Sequence, residues 1–497
     1  MKKAVPFISP VALIKKMKQL LKHSFAILAV SILIFSSCKV ARPVTMPPVK
    51  NLPDSFPAAK DSSSIASIAW KQFFTDDHLV ALIDTALHNN PDLYIALQRI
   101  EAARAQVAMS RGALLPSLNG VVSAAGDRYG DYTMNGVGNF DTNLSPNINS
   151  KQKIPTSFTP DLFVGFRSNW EIDIWGKLKN EKKAAIAQLL ATEKGRQYIT
   201  TSIVADIAML YYDLLALDNE LDIIKKNVLL QETALDIVKV QKEGGRATEL
   251  AVQQFAAQLL NTKAIEYSVK QEIVQAENEI NLICGRYPQT ISRDTSLMHQ
   301  QLPASLQTGL PSTLLTRRPD IQQAELELEA AEANVLAARK AFLPSLNLTP
   351  YIGLNAFKPN VLFNSGSVAY GAVAGLTAPI FNQNKLKAGY AIANAQNKEA
   401  IYNYQKVLLS SFSEVVTSLK SIENGSESFK LKEQEVRELT NAVATAKDLY
   451  LTGYANYLEV ISAQKGVLEA ELQLNGNKKQ LFQSVIGLYR SLGGGWE

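Results

Sequence analysis

Two kinds of apolar spacing alternate along the chain. From about Gly176 to Glu243, and again from about Asn384 to Leu451, apolar residues recur every three or four positions, as in Ile203, Ile207, Leu210, Leu214 and Leu217. That spacing is one face of a helix, and the background of Ala, Leu, Lys, Glu and Gln favours the same conformation. No proline lies between Asp161 and Tyr287, or after Pro379, to interrupt either run. At 1.5 Å per residue, roughly 65 residues predict a rod of about 100 Å. Gly244-Gly245-Arg246-Ala247 closes one rod and Thr452-Gly453-Tyr454-Ala455-Asn456 the other, and a second helical run follows each. Two antiparallel helical hairpins are predicted.

Elsewhere the period is two. In Leu162 to Asp173 the even positions are Leu162, Val164, Phe166, Ser168, Trp170 and Ile172, and the odd ones Phe163, Gly165, Arg167, Asn169, Glu171 and Asp173. Leu346, Leu348, Ile352 and Leu354 alternate with Asn347, Thr349, Tyr351 and Asn355, and Val368 to Leu376 alternate with small residues. These are strands with an apolar and a polar face. With a strand near Ser117 to Ala125 they make four, in two hairpins whose turn-rich connections are Gly126 to Thr159 and Asn360 to Gly366.

The two periods recur in the same order because the chain repeats itself. At a shift of 228, Pro91-Asp92 meets Pro319-Asp320, Glu101-Ala102-Ala103 meets Glu329-Ala330-Ala331, and Leu115-Pro116-Ser117-Leu118-Asn119 meets Leu343-Pro344-Ser345-Leu346-Asn347. Further on the shift is 208, bringing Gly245 onto Gly453 and Gly285 onto Gly493, so the first β insert is the longer by 20 residues. Each half reads helix, β insert, long helix, turn, helix. The predicted organisation is residues 70–285 as one repeat, with its β hairpin at about 117–174 and helical hairpin at about 176–284. A linker follows at 286–310, then a second repeat at 311–497, with hairpins at about 345–380 and 384–491.

Composition changes the picture at the N-terminus. Lysines 15 to 22 precede an apolar run from Phe25 to Phe35, and Phe35-Ser36-Ser37-Cys38 ends it with small residues before a cysteine. Residues 1–37 thus read as a secretory signal, too short to span a bilayer, with 38–69 an extended segment behind it. Met17 also offers a start for a signal of ordinary length. The signal holds six lysines and no acid, and discounting it takes the net charge from +5 to −1. Such a chain has no bulk electrostatic footprint for nucleic acid. Cys284, the one other cysteine, sits in an apolar helical context and reads as core. His23, His78, His88 and His299 show no metal-ligand spacing, and neither a phosphate-cradling loop nor a nucleophile elbow is present. Neither an enzyme, a cofactor nor a metal site is expected.

Alternation by itself also fits a soluble sheet packed on one face; the secretory signal and the lack of another long apolar run favour strands that cross lipid. Four strands cannot close on themselves, and an open edge in hydrocarbon leaves unpaired backbone groups costing several kcal/mol each. Closure therefore needs further copies, and three would give twelve strands. Here the motifs become specific. Trp170-Glu171-Ile172-Asp173-Ile174-Trp175-Gly176, Arg317-Arg318-Pro319-Asp320-Ile321 with Ala324-Glu325, and Gly493-Gly494-Gly495-Trp496 resemble the signatures of the TolC-like outer membrane efflux proteins, and Phe35 to Cys38 resembles the lipoprotein box of one branch.

The resemblance runs from about Trp70 to Trp496 and implies a mainly α chain with transmembrane β. Its fold would be a homotrimeric twelve-stranded β-barrel continued by an α-helical barrel, with a girdle of smaller helices including Asp76 to His88. It implies a lipid anchor on Cys38 in the outer membrane. It also implies a passive duct for small molecules, working with a periplasmic adaptor and an inner-membrane pump of the RND type. Glu459 and Ser462 would border the periplasmic aperture; Gly245, Arg246, Gly453, Tyr454, Ala455 and Asn456 would be the adaptor-docking tips. On the alternation alone, Arg167, Asn169, Glu171 and Asp173 face water, either as a pore-facing strand or only as solvation of the barrel interior. Arg317 to Asp320 read as a helix start, with Pro319 in the first turn and Asp320 favourable at the positive end of the dipole. The alternatives are the exit duct of a protein secretion system and a structural lipoprotein that forms no channel.

Overall fold

The computed structural model describes residues 45–48, 52–56, 64–293, 296–300 and 307–497; the signal segment and Cys38 lie outside the described residues. Its principal elements are α1 (Asp77–Asn89), α2 (Pro91–Gly112), β1 (Ser117–Asp127), α3 (Met134–Leu144), β2 (Thr159–Ile172), α4 (Lys177–Glu243) and α5 (Glu249–Ile283), then α6 (Pro319–Lys340), β3 (Ser345–Ala356), β4 (Val368–Thr377), α7 (Lys385–Thr452) and α8 (Tyr457–Ser491). The elements come in matched pairs. Helices α2 and α6 are each 22 residues long, α4 and α7 are 67 and 68, and α5 and α8 are each 35.

The four hairpin helices stop by one device. After α4, α5, α7 and α8 a glycine takes φ of +72°, +65°, +83° and +90° at Gly245, Gly285, Gly453 and Gly493. The amide after each glycine then bonds back to a carbonyl five residues earlier, as Arg246 does to Gln241, Arg286 to Asn281, Tyr454 to Leu449 and Gly494 to Tyr489. This satisfies carbonyls that the helix end leaves bare, in a geometry that penalises any residue with a Cβ. The residue before α4 is likewise left-handed at Gly176, and Asn384 holds the equivalent place before α7.

The contacts divide the chain into two compact units. One, on Arg104–Ala187 and Glu329–Glu399, holds the sheet; the other, on Pro48–Ala103, Gln188–Leu328 and Ala400–Glu497, holds the helical hairpins. In the helical unit Ile203, Ile207, Leu214 and Leu217 are buried as their spacing predicts. They join a core that includes Leu79 and Ile83 of α1 and Leu488 and Tyr489 of α8. Asp76 caps α1 by accepting the amides of His78 and Leu79, and the Tyr211 hydroxyl donates to its other oxygen at 2.8 Å. Cys284 is fully buried, and burial raises its thiol pKa. Helix α4 is the one helix among the described residues apolar and long enough to cross a bilayer, yet most of its apolar window is buried, so that hydropathy belongs to packing.

In the other unit all four strands form one antiparallel sheet in the order β1-β2-β3-β4. Each half supplies a hairpin as expected, and β2 pairs with β3 to join them. The long connection between β1 and β2 is not wholly irregular. It contains α3, capped by Thr133, and the Asn143 side chain holds Ile154 through both its amide and its carbonyl. Its glycines and asparagines hide the helix from a periodicity reading.

Candidate functional site

The register of the sheet sorts side chains from both halves onto common faces. Across the strands Val122, Val164, Leu354 and Val368 fall in one row, Gly120, Phe166, Ile352 and Tyr370 in another, and Trp170, Leu348 and Ala374 in a third. This even-numbered face is apolar across its middle apart from Ser168, and none of the described residues covers it: Val122 is 82% exposed, Leu118 71% and Tyr370 78%. A soluble monomer rarely leaves so continuous an apolar surface bare. Trp170 and Trp175 donate their indole N–H groups to the carbonyls of Leu114 and Pro344, satisfying a polar tip while the ring stays apolar.

The odd-numbered face carries Asn119, Ser123, Arg167, Asn169, Asn347, Thr349 and Asn355. Arg167 and Asn169 are exposed there, as the alternation predicts. Arg167 stacks its guanidinium 4.6 Å from the centre of the Phe163 ring, and that ring meets Tyr351 edge-on at 6.2 Å. The Phe163 ring lies over Gly165 and Gly353, where an added Cβ would stand 3.0 Å and 2.8 Å from it. Glycine on this face is therefore what lets an aromatic lie flat on the sheet. Sequence reading placed Phe163 on the water side but missed this packing.

Two of the four predicted pore residues have partners near the start of α4, and Glu171 keeps its place on the odd-numbered face. Glu171 pairs with Lys177 at 2.7 Å. Asp173 is corrected outright: β2 ends at Ile172, and the Asp173 carboxylate accepts the amides of Leu178 at 3.2 Å and Lys179 at 2.9 Å in the first turn of α4. The bare N–H groups of a helix start attract a carboxylate more strongly than continued alternation would.

In the helical unit the predicted tip residues come together. Arg246 and Thr248 from one turn, and Gly453, Ala455 and Asn456 from the other, line a single recess. Arg246 and Tyr454 are exposed, Tyr454 to 85%. The turns are built differently. Thr248 caps α5, while Lys242 and Glu249 form an ion pair across the first turn. In the second, Asn456 accepts the amides of Leu458 and Glu459, and Glu459 accepts the Asn456 amide at 3.1 Å, a complete capping box. Glu459 is exposed but is thus more than a solvated side chain, and Asn456-Tyr457-Leu458-Glu459 carried that signal in sequence. Ser462 is exposed one turn on.

Arg318, read as part of a helix start, is nearly buried. Its guanidinium grips Asp320 with two bonds of 3.0 and 2.6 Å, meets Glu414 at 2.8 Å and donates to the Ser491 carbonyl at 2.9 Å. These partners hold its pKa above the ordinary arginine value although burial opposes them. Among the described residues no group of three His, Cys, Asp or Glu is placed to hold a metal ion.

An antiparallel sheet with one bare apolar face and two unpaired outer edges, β1 and β4, is a wall segment of a transmembrane β-barrel. The comparisons agree. The chain matches the model of the outer membrane efflux protein family over residues 82–286 and 310–494, and it belongs to that family. It is 28% identical over 471 residues to the probable outer membrane lipoprotein SilC of Salmonella typhimurium, covering 94% of this chain and 97% of the relative. It is 28% identical over 475 residues to the cation efflux system protein CusC of Escherichia coli, again over 94% and 97% of the two chains. A crystal structure of a membrane protein from Pseudomonas aeruginosa superposes with a TM-score of 0.80 at 27% identity, over 92% of this chain and 98% of that one. The fold is TolC-like.

Proposed function

We propose that the protein is the outer-membrane channel subunit of a tripartite efflux system. Three copies close one barrel, β4 of each pairing with β1 of the next, and their helical hairpins wall the duct that continues it. The observation that carries this reading is the sheet itself, whose apolar face needs lipid and whose two free edges need partners. Cys38 carries the lipid anchor. Arg167 and Asn169 look into the barrel, with Glu171 neutralised beside them by Lys177. The recess between the hairpin tips, lined by Arg246, Gly453, Ala455 and Asn456, receives a periplasmic adaptor together with the exposed Gly245 and Tyr454 of the same turns. Glu459 and Ser462 border the aperture, and three copies of Glu459 focus negative potential there.

The conduit performs no chemistry and spends no nucleotide; an inner-membrane pump of the RND type supplies energy and selects cargo. The cargo is a small molecule or ion, the class to which the cation efflux name of the CusC relative also points.

Native mass spectrometry from lipid nanodiscs tests the assembly. A mass of three chains is expected; a water-soluble monomer with the sheet's apolar face covered by its own helices would refute it. In planar bilayers Glu459→Gln should weaken cation preference, and an unchanged preference removes Glu459 from the aperture.

A further inference from the structure

Helix α5 has two apolar faces. One, with Ala251, Phe255, Leu259, Val269 and Ile280, is buried in the helical unit. The other runs through Ala257, Leu260, Ala264, Tyr267 and Val274, spaced by three and four residues with Gln271 completing the repeat. This second face is exposed, Leu260 to 67% and Tyr267 to 71%. An apolar stripe that recurs every seven residues is the seam along which one helix packs on another, and left bare it marks an interaction surface.

The duplication shows what belongs on it. At the shift of 208 the stripe falls on Leu468, Leu472, Asn475 and Phe482 of α8, with Lys479 in the place of Gln271. There the same face is closed, because it lies on α4 of its own chain. Phe482 stacks on Tyr212 with ring centres 4.6 Å apart, Lys479 donates to Asp213 at 2.7 Å, Asn475 donates to the Ala216 carbonyl at 2.8 Å, and Glu471 accepts from Asn227 at 3.2 Å. Helix α8 of the second repeat thus packs on α4 of the first. With the repeats exchanged, the matching partner of α5 is α7. The α7 residues in the places of Ala216, Ile223 and Asn227 are Asn424, Leu431 and Glu435, and all three are exposed, Leu431 to 66%. Both sides of the second contact are present in the chain and both are open, so they do not meet within it.

We propose that the stripe on α5 docks on α7 of a second copy of this chain, reproducing between copies the contact that α8 makes with α4 inside one. The proposal rests on the channel reading and assigns the helical seam between its subunits. In that seam Tyr267 lies level with Asn424 of the next copy, as Asn475 does with Ala216. Lys263, in the place of Glu471, faces Glu435 of the next copy, in the place of Asn227. Within the chain these two charges make only exposed pairs, Lys263 with Glu232 at 2.6 Å and Glu435 with Lys432 at 2.5 Å, which hold them weakly enough to be shared or exchanged. The seam inside a copy is tied by buried amide bonds, and the seam between copies by apolar side chains and one pair of opposite charges.

The test is cross-linking of the full chain in lipid nanodiscs. Tyr267→Cys combined with Asn424→Cys, treated with a short bis-maleimide, should give a ladder of bands ending at the covalent trimer, and either cysteine alone should give monomer, since Cys284 is buried. Lys263→Glu and Glu435→Lys should each lower the temperature at which the trimer dissociates in detergent, and the two together should restore it. Restoration is specific to a pair between copies, because each reversal also sets like charges against Glu232 or Lys432 within the chain and the second reversal does not mend that. Circular dichroism establishes that each variant is folded. A trimer by mass with no cross-link, or with no restoration by the double reversal, would overturn this seam and leave the channel reading standing. A monomer by mass would overturn both.

Discussion

The junction where a returning hairpin helix meets the start of its own repeat's short helix is built twice, with one backbone and two chemistries. In the first repeat Gly285 packs so closely on Asn89 that an added Cβ would lie 2.3 Å from its carbonyl oxygen. Asn90 donates to the Ile283 carbonyl at 2.8 Å while its own oxygen caps α2. In the second, a Cβ added at Gly493 would lie 2.9 Å from the Arg317 backbone, and Arg318, in the place of Asn90, donates to the Ser491 carbonyl. The neutral amide needs nothing more. The guanidinium, equally buried, needs Asp320 and Glu414 beside it. Duplication kept the close approach, which only glycine permits, and let the polar group vary once its charge was matched.

The largest effect should come from Gly285, the junction glycine with the closer backbone approach. Gly453 also has positive φ, but open space surrounds it. Gly453→Ala should therefore cost only left-handed strain, about 1–2 kcal/mol. Gly285→Ala adds a backbone clash and should lose more, with Gly493→Ala between them, as read from thermal unfolding followed by circular dichroism; equal losses would show that the close approach is not what constrains the junctions. Arg318→Met comes next, at about 3–5 kcal/mol, since it leaves the part-buried Asp320 carboxylate and the Ser491 carbonyl without their cation. Adding Asp320→Asn and Glu414→Gln should recover most of that loss, and no recovery would refute the ion-pair account. Asn90→Ala, losing one neutral bond and a cap, should cost about 1–2 kcal/mol in the same assay; a loss matching that of Arg318→Met would erase the distinction between the junctions.

The smallest effect concerns pH. Where the first repeat has Lys263, paired with Glu232 at 2.6 Å, the second has Glu471, whose carboxyl burial holds above the ordinary carboxylate value. The folded state binds that proton more tightly than the unfolded chain does. Its contribution to stability is therefore complete below the unfolded value and lost as pH rises through the folded one. Glu471→Gln should be slightly more stable than the parent at neutral pH and lose that advantage in acid. A pH-independent difference would mean that the Asn227 bond, not burial, governs the site.

Much of this was legible in the chain because it is local. The helix runs begin and end within a residue or two of where proline, glycine and apolar spacing put them, and the alternating face of β2 is the bare apolar face observed. Asp173 was misread because alternation ran one residue too far, where the open amides of α4 offered its carboxylate a better partner. Glu459 was assigned by resemblance alone, though its spacing from Asn456 was a capping signal.

The sequence by itself determined which segments are helix and strand, where each helix stops and that the pattern occurs twice, since those follow from periodicities and φ preferences within a few residues. Only tertiary structure decided that β2 pairs with β3, that Asn90 and Arg318 hold equivalent carbonyls, and that Arg293 of the linker reaches Asp218 of α4. Those outcomes join residues far apart in the chain, and they depend on how completely separate elements pack, which no local spacing encodes.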